Sequence, residues 1–377
     1  MKALRKIAIL GITASLVASG VMLAGPASAD PVAGGYSATG SDTIQDVMNA
    51  LTNGTAVTGA TVRVTAAGVS IGNFDAFGSA KIQTKPAGPF FVRPAGSGNG
   101  VKSLSRSVDS NPWNGTVITG QVDIARSSSG PGANANTNGL LAYVPFARDG
   151  MAYAYKAANA ADAAVLANLT TAQLTSLYTA SSVGAATTIG GVVITPRLPQ
   201  SGSGTRSFFL GAIAVTTLGG AVNDTLNTTP ENDGSVLAAN EIIPFSTACW
   251  VAQKNGAAPS TFTGTTGVGL GSPTGVAPYT PYPTPGSADV APLTSSTTYF
   301  ANTTWGRDTY LVVEYARINP ADPKYDATLA NLVNPTKAGS LASWSVSPTQ
   351  PGAVKAKFGF QQASTTSITR AYATLPA

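Results

Sequence analysis

Three clusters of small polar residues carry the chemistry this sequence offers: Gly40-Ser41-Asp42-Thr43-Ile44, Gly96-Ser97-Gly98-Asn99-Gly100-Val101-Lys102 and Ser201-Gly202-Ser203-Gly204-Thr205-Arg206. Each falls where a strand-like run gives way to a helical one. A helix start presents unpaired N–H groups and the positive end of the macrodipole, so it attracts an anion. Glycine lets the backbone come close, and Ser/Thr hydroxyls donate without filling the space. One such cluster alone reads as a turn with an N-cap. Three of them, in a chain with only 10% charged residues, point to a site for an anion.

The rest of the composition narrows the chemistry further. The 377 residues contain no histidine, which excludes a Ser-His-Asp triad, an imidazole base and a His-ligated metal. The one cysteine, Cys249, cannot form an internal disulfide. Asp46, Asp75 and Asp123 lack metal-ligand spacing, so neither a metal nor another cofactor is expected. With 43% hydrophobic residues the chain can fill one large or two medium cores.

Lys2, Arg5 and Lys6 precede an apolar run from Ile7 to Leu23, which ends in Ala27-Ser28-Ala29. This reads as a secretory leader over residues 1–29, cleaved after Ala29. Its removal takes three of the 22 basic residues and leaves 19 against 17 acidic ones. The exported chain is therefore close to neutral, and no dense Lys/Arg run supplies a face for nucleic acid. No cysteine stands at the leader's end for lipidation, and no second apolar run of ~18 residues follows. The expectation is a secreted or cell-surface monomer.

Short β-rich runs alternate with amphipathic helical stretches, which predicts an α/β fold. Ser41 to Leu51 reads as a helix capped by Ser41 or Asp42, with Ile44, Val47, Met48 and Leu51 on one face. GQVDIA (120–125) and GVVIT (191–195) read as buried strands. LLAYVPF and MAYAYK read as two strands broken by a turn at Arg148-Asp149-Gly150. Residues 157–178 and 208–213 read as helical, TYLVVEYA (309–316) as a strand, and Leu329, Leu332 and Val333 as a helix face. The Gly/Pro/Ser/Thr-rich stretch 255–300 predicts extended loops or short edge strands. Glu231-Asn232-Asp233-Gly234 reads as an acidic N-cap rather than a rim or hinge contact, and Trp250, Trp305, Tyr153 and Tyr155 as core or hinge packing rather than a stacking platform for a sugar.

SGNGVK (97–102), VDIARSSS (122–129), SGSGT (201–205) and GSDTI (40–44), in this order between about Tyr36 and Phe209, resemble the phosphate-binding components of bacterial ABC transporters, a branch of the type II periplasmic binding proteins. The resemblance implies two lobes, each a mixed sheet flanked by helices, with two hinge crossovers. Lobe I would comprise residues 30–150 and 313–377, and lobe II residues 151–312, including the 255–300 insert. A dehydrated oxyanion would lie between them, held by Thr43, Ile44, Ser97, Ser203, Gly204 and Thr205, with Ser41 as an additional candidate. Membrane subunits of an ABC transporter are the implied partners, and no catalysis is implied.

Two positions depart from the family pattern. Ser128 stands where the family places an aspartate that accepts from the protonated oxygen of hydrogen phosphate, which weakens discrimination against sulfate. Pro199 stands where the family has a bidentate arginine. Arg197 lies two residues upstream, a root displaced by ~6.6 Å along a strand, and Arg126 and Arg206 are the other candidates for a charged fork. The sequence thus predicts a secreted solute-binding protein for an inorganic oxyanion, phosphate first. The alternatives are a surface or matrix protein that has kept the fold and lost transport, and, more remotely, a secreted phosphate-ester hydrolase.

Overall fold

The computed structural model describes residues 30–31, 34–223, 229–259 and 267–376; the expected leader lies outside them. Its strands in chain order are Tyr36–Gly40 (β1), Ile71–Asn73 (β2), Lys81–Ile82 (β3), Phe91–Val92 (β4), Pro112–Trp113 (β5), Thr116–Val117 (β6), Ile124–Ser127 (β7), Leu141–Lys156 (β8), Thr188–Ile189 (β9), Val192–Val193 (β10), Thr195–Pro196 (β11), Glu241–Ser246 (β12), Val268–Gly271 (β13), Tyr279–Thr280 (β14), Thr294–Ser295 (β15), Gly306–Glu314 (β16) and Thr369–Ala371 (β17). Nine of them form one mixed sheet in the order β11-β12-β8-β16-β7-β1-β2, with β13 and β17 also paired to β8. The chain is an α/β protein with a central mixed sheet flanked by helices. Among the described residues no helix is long and apolar enough to cross a membrane.

The long strand β8 organises the sheet. Residues 141–150 pair with β16, while residues 151–156 pair with β12 and residues 153–156 with β13 on the other edge. The expected turn at Arg148-Asp149-Gly150 is therefore absent, and the strand runs straight through. The reason is a crosswise pairing: Arg148 and Asp149 face Asp308 and Arg307 on the antiparallel β16, with ion pairs of 3.2 Å and 2.9 Å. Charge pairing across the ladder outweighs the local turn signal.

Separate apolar clusters pack against the two ends of β8. One gathers Tyr153, Leu174, Tyr178, Phe209, Ile243, Trp250 and Trp305. Another gathers Ile44, Val47, Met48, Leu51, Val144, Leu311, Leu329 and Leu332, so the inner face expected for the first helix and the 329–333 face are both buried. The helices that matter for the site are Gln45–Asn53 (α1), Ser97–Asp109 (α2), Ala160–Leu166 (α3), Thr171–Thr179 (α4), Gly204–Ala212 (α5) and Thr247–Lys254 (α6). Thr170 opens α4 with a reciprocal capping box to Gln173.

Three local expectations shift. The first helix starts at Gln45 rather than Ser41, because the polar side chains before it turn elsewhere. The strand expected at 120–125 is β7, which begins four residues later and ends two later, and includes the polar Arg126 and Ser127. GVVIT does not form one buried strand: β10 is a two-residue ribbon with Val193 exposed, and only Thr195–Pro196 joins the main sheet. The described part of 255–300 supplies β13, β14, β15 and a short helix.

Arg126, a candidate ligand residue, is instead a buried strut. From β7 its guanidinium donates to the carbonyls of Ser41, Ala38 and Gly40 and to Asn73 Oδ1, at full burial. Burial lowers its pKa to about 10, so it stays charged at neutral pH. It fixes the end of β1, where the first polar cluster begins. Arg126→Met keeps the length and strands these acceptors, so a loss of roughly 3 kcal/mol or more is expected in urea unfolding; unchanged stability would show the strut to be dispensable.

Candidate functional site

Ser41 and Thr43 follow β1, and Ser203 and Thr205 open α5. All four are buried, and they converge on one group, the carboxylate of Glu231, itself 1% exposed. Oε1 accepts from Ser41 Oγ at 3.0 Å, Thr43 N at 3.2 Å and Thr43 Oγ1 at 2.7 Å. Oε2 accepts from Ser203 Oγ and, at 3.3 Å, from Thr205 N. Ser203 also caps α5 through Arg206 N. The carboxylate at this helix start belongs to the chain itself.

Arg307 backs this cradle from β16. Its Nη2 donates to Thr205 Oγ1 at 3.0 Å and to Thr43 Oγ1 at 3.4 Å, while Nε and Nη2 hold Asp149 Oδ2. Asp149 is in turn fixed by Ser246 Oγ and Ala248 N, where β12 passes into α6. The remaining nitrogen, Arg307 Nη1, is buried without a hydrogen-bond partner. Cys249 Sγ donates to Thr43 O at 3.1 Å, tying α6 to the same turn.

The other expected residues are distributed around this point. Ser97 and Ser128 bond each other, with Oγ atoms 3.1 Å apart and Ser128 N donating to Ser97 Oγ. They press on Gly204: a Cβ there would lie 2.3 Å from Ser97 Oγ and 2.5 Å from Ser128 Oγ. Gly98 N donates to Gly202 O, which brings the second and third clusters into direct backbone contact. Gly96, at φ +85°, allows that approach, since its Cβ would fall 2.5 Å from Gly202 O. Ile44 sends its side chain into the core under α1.

The two remaining arginines turn away from the cradle in their described contacts. Arg197 Nη1 donates to Val236 O and pairs with Glu241 at 3.0 Å. Arg206 Nη1 donates to Pro199 O. Arg307, which the sequence reading missed, is the arginine at this site. The sequence does hold a signal for it: two Arg-Asp dipeptides, 148–149 and 307–308, in strand-like runs that pair crosswise when antiparallel. Glu231, read as a cap, was missed in its role; the cap is Asp233, which accepts from Ser235 N.

Asp42 completes the electrostatics. Its Oδ2 accepts from Glu231 N at 3.0 Å. Burial, then the charge of Glu231 and a hydrogen bond to it, push the Asp42 carboxyl well above its ordinary range. Burial also pushes Glu231 up, but hydrogen bonds from Asp42 and Ser203, the Arg307 charge and Thr43 outweigh it and hold Glu231 down to about 2. The two carboxyls are thus pushed in opposite directions, as two close acids are in a dry site.

No family model matches the sequence, and no curated protein matches it significantly. Among solved structures the chain is similar to an ABC-type phosphate transport receptor from Vibrio cholerae, at 16% identity over 87% of this chain and 99% of that one, with a TM-score of 0.48. It is also similar to PstS from Borrelia burgdorferi, at 14% identity over 88% and 99%, with a TM-score of 0.42. Superpositions this loose leave the chemistry to be read from the residues of this chain. Fold and site together define an α/β protein with a preformed, buried anion cradle.

The Asp42–Glu231 pair makes a signed prediction. Between about pH 2 and about pH 4 the unfolded chain holds a proton that Glu231 has lost, so this group makes stability rise with pH. Above about pH 4 the folded chain keeps a proton on Asp42 that the unfolded chain has released, so stability falls with pH, by up to about 1.4 kcal/mol per unit. Asp42→Asn imitates the neutral form and should remove that fall above the usual carboxylate range in urea unfolding. Parallel pH profiles for both proteins would contradict the assignment.

Proposed function

We propose that this chain is a secreted solute-binding protein that takes an inorganic oxyanion, phosphate first, into the cradle of Ser41, Thr43, Ser203, Thr205 and Arg307. The observation that carries the reading is the convergence of hydroxyls and N–H groups from two separate helix starts on one buried anion. Such a site suits a dehydrated oxyanion because each oxygen meets a donor, which is what makes a buried charge tolerable. Ser97, Ser128, Gly204 and the Ile44 N–H complete the ligand surface in this reading, whereas Arg197, Arg126 and Arg206 act in the scaffold.

In the same reading residues 1–29 are the leader. Residues 30–150 with 313–377 form one lobe and 151–312 the other, and closure over the ligand precedes delivery to the membrane subunits of an ABC transporter. The chain performs no catalysis. With Ser128 in place of an acceptor carboxylate, sulfate should compete with phosphate. A second reading, a surface protein that has kept the fold and lost transport, is favoured by one observation: Glu231 already fills the cradle.

Calorimetric titration with phosphate, arsenate and sulfate tests the first reading. Saturable heat with phosphate, competition by sulfate and about tenfold weaker binding in Thr205→Val are expected. Flat titrations with all three anions would contradict oxyanion capture and leave the second reading.

A further inference from the structure

Glu231 reaches the cradle from a stretch far from both of its donor turns, 188 to 190 residues from the first and 26 to 28 from the third cluster. Its carboxylate bridges Ser41 and Thr43 on one side and Ser203 and Thr205 on the other. The same two turns also meet directly, with Thr43 Oγ1 and Thr205 Oγ1 3.2 Å apart. An internal anion therefore occupies the place, and makes the cross-links, that a bound oxyanion would make.

The fit is incomplete in an informative way. A carboxylate has two oxygens, and both are taken up by the five donors from the turns. Arg307 Nη1 is left buried and unsatisfied, next to the Nη2 that contacts both threonine hydroxyls. A tetrahedral anion brings further acceptor oxygens to such a surplus donor. Two anions cannot share this dry space, because their repulsion is unscreened there.

We propose that Glu231 is a built-in competitor for the site: its carboxylate holds the cleft closed without ligand and has to leave the cradle before an inorganic oxyanion enters. This rests on the reading of the cradle as an oxyanion site. Self-occupancy lowers the apparent affinity by the fraction of molecules whose cradle is free, and it reduces the shape change on binding, since the empty protein is already closed.

The test compares the parent protein with Glu231→Gln, which keeps the side-chain shape without its charge, and Glu231→Ala, which empties the cradle. Each is titrated with inorganic phosphate by calorimetry and its radius of gyration followed by small-angle scattering, with circular dichroism confirming the fold. Both variants should bind phosphate at least about tenfold more tightly than the parent. Glu231→Ala should be more extended than the parent when free and should contract to the parent's radius with phosphate, while the parent's radius stays constant. Phosphate affinities equal in all three proteins would overturn the competitor and leave the oxyanion reading standing. Silence of all three folded proteins toward phosphate, arsenate and sulfate would overturn the oxyanion reading beneath it.

Discussion

A carboxylate withdrawn from water has to find hydrogen-bond donors inside the protein, and Glu231 finds five on two distant turns of the chain. That requirement explains much of the local structure around it. The Ser41 and Asp42 side chains forgo capping α1 and face Glu231 instead, so α1 begins at Gln45 without a side-chain cap. Burial, and then the Glu231 charge beside it, push the Asp42 carboxyl well above its ordinary range. Gly204 stays without a side chain because a Cβ there would collide with Ser97 Oγ and Ser128 Oγ.

The scaffold supplies the rigidity this arrangement needs. β8 runs through both parts of the sheet, and the crosswise Arg148–Asp308 and Arg307–Asp149 pairs lock it to β16 near its middle. Arg307 thus belongs to the ladder and to the cradle at once. Arg126 does the corresponding work beneath β1, tying four acceptors to one guanidinium. Buried charges of this kind stabilise little in net terms, but a partner removed from one of them is expensive, so they fix geometry.

The parts of this structure that were legible in the sequence are those set by local pattern. The three polar clusters stood out because glycine, serine and threonine at helix starts have few other uses at that density, and the apolar face of α1 follows its spacing. What sequence could not place were contacts between distant segments. Glu231 lies in a Glu-Asn-Asp-Gly run whose local meaning is a cap, and Asp233 does provide one; nothing nearby marks Glu231 as the residue that crosses to Ser41. Arg197 looked like the displaced ligand arginine, yet the parallel pairing of β11 with β12 sets it beside Glu241. Arg148-Asp149-Gly150 carried a true turn signal that a cross-strand charge pair overrode.

In the proposed scheme the cradle holds the chain's own carboxylate when no oxyanion is present. A crystal structure of the protein grown free of phosphate, sulfate and other oxyanions tests it most directly. The Glu231 carboxylate is expected within hydrogen-bond distance of Ser41, Thr43, Ser203 and Thr205, with the Gly98–Gly202 contact formed. A Glu231 side chain turned to solvent, with water in the cradle between separated turns, would contradict it.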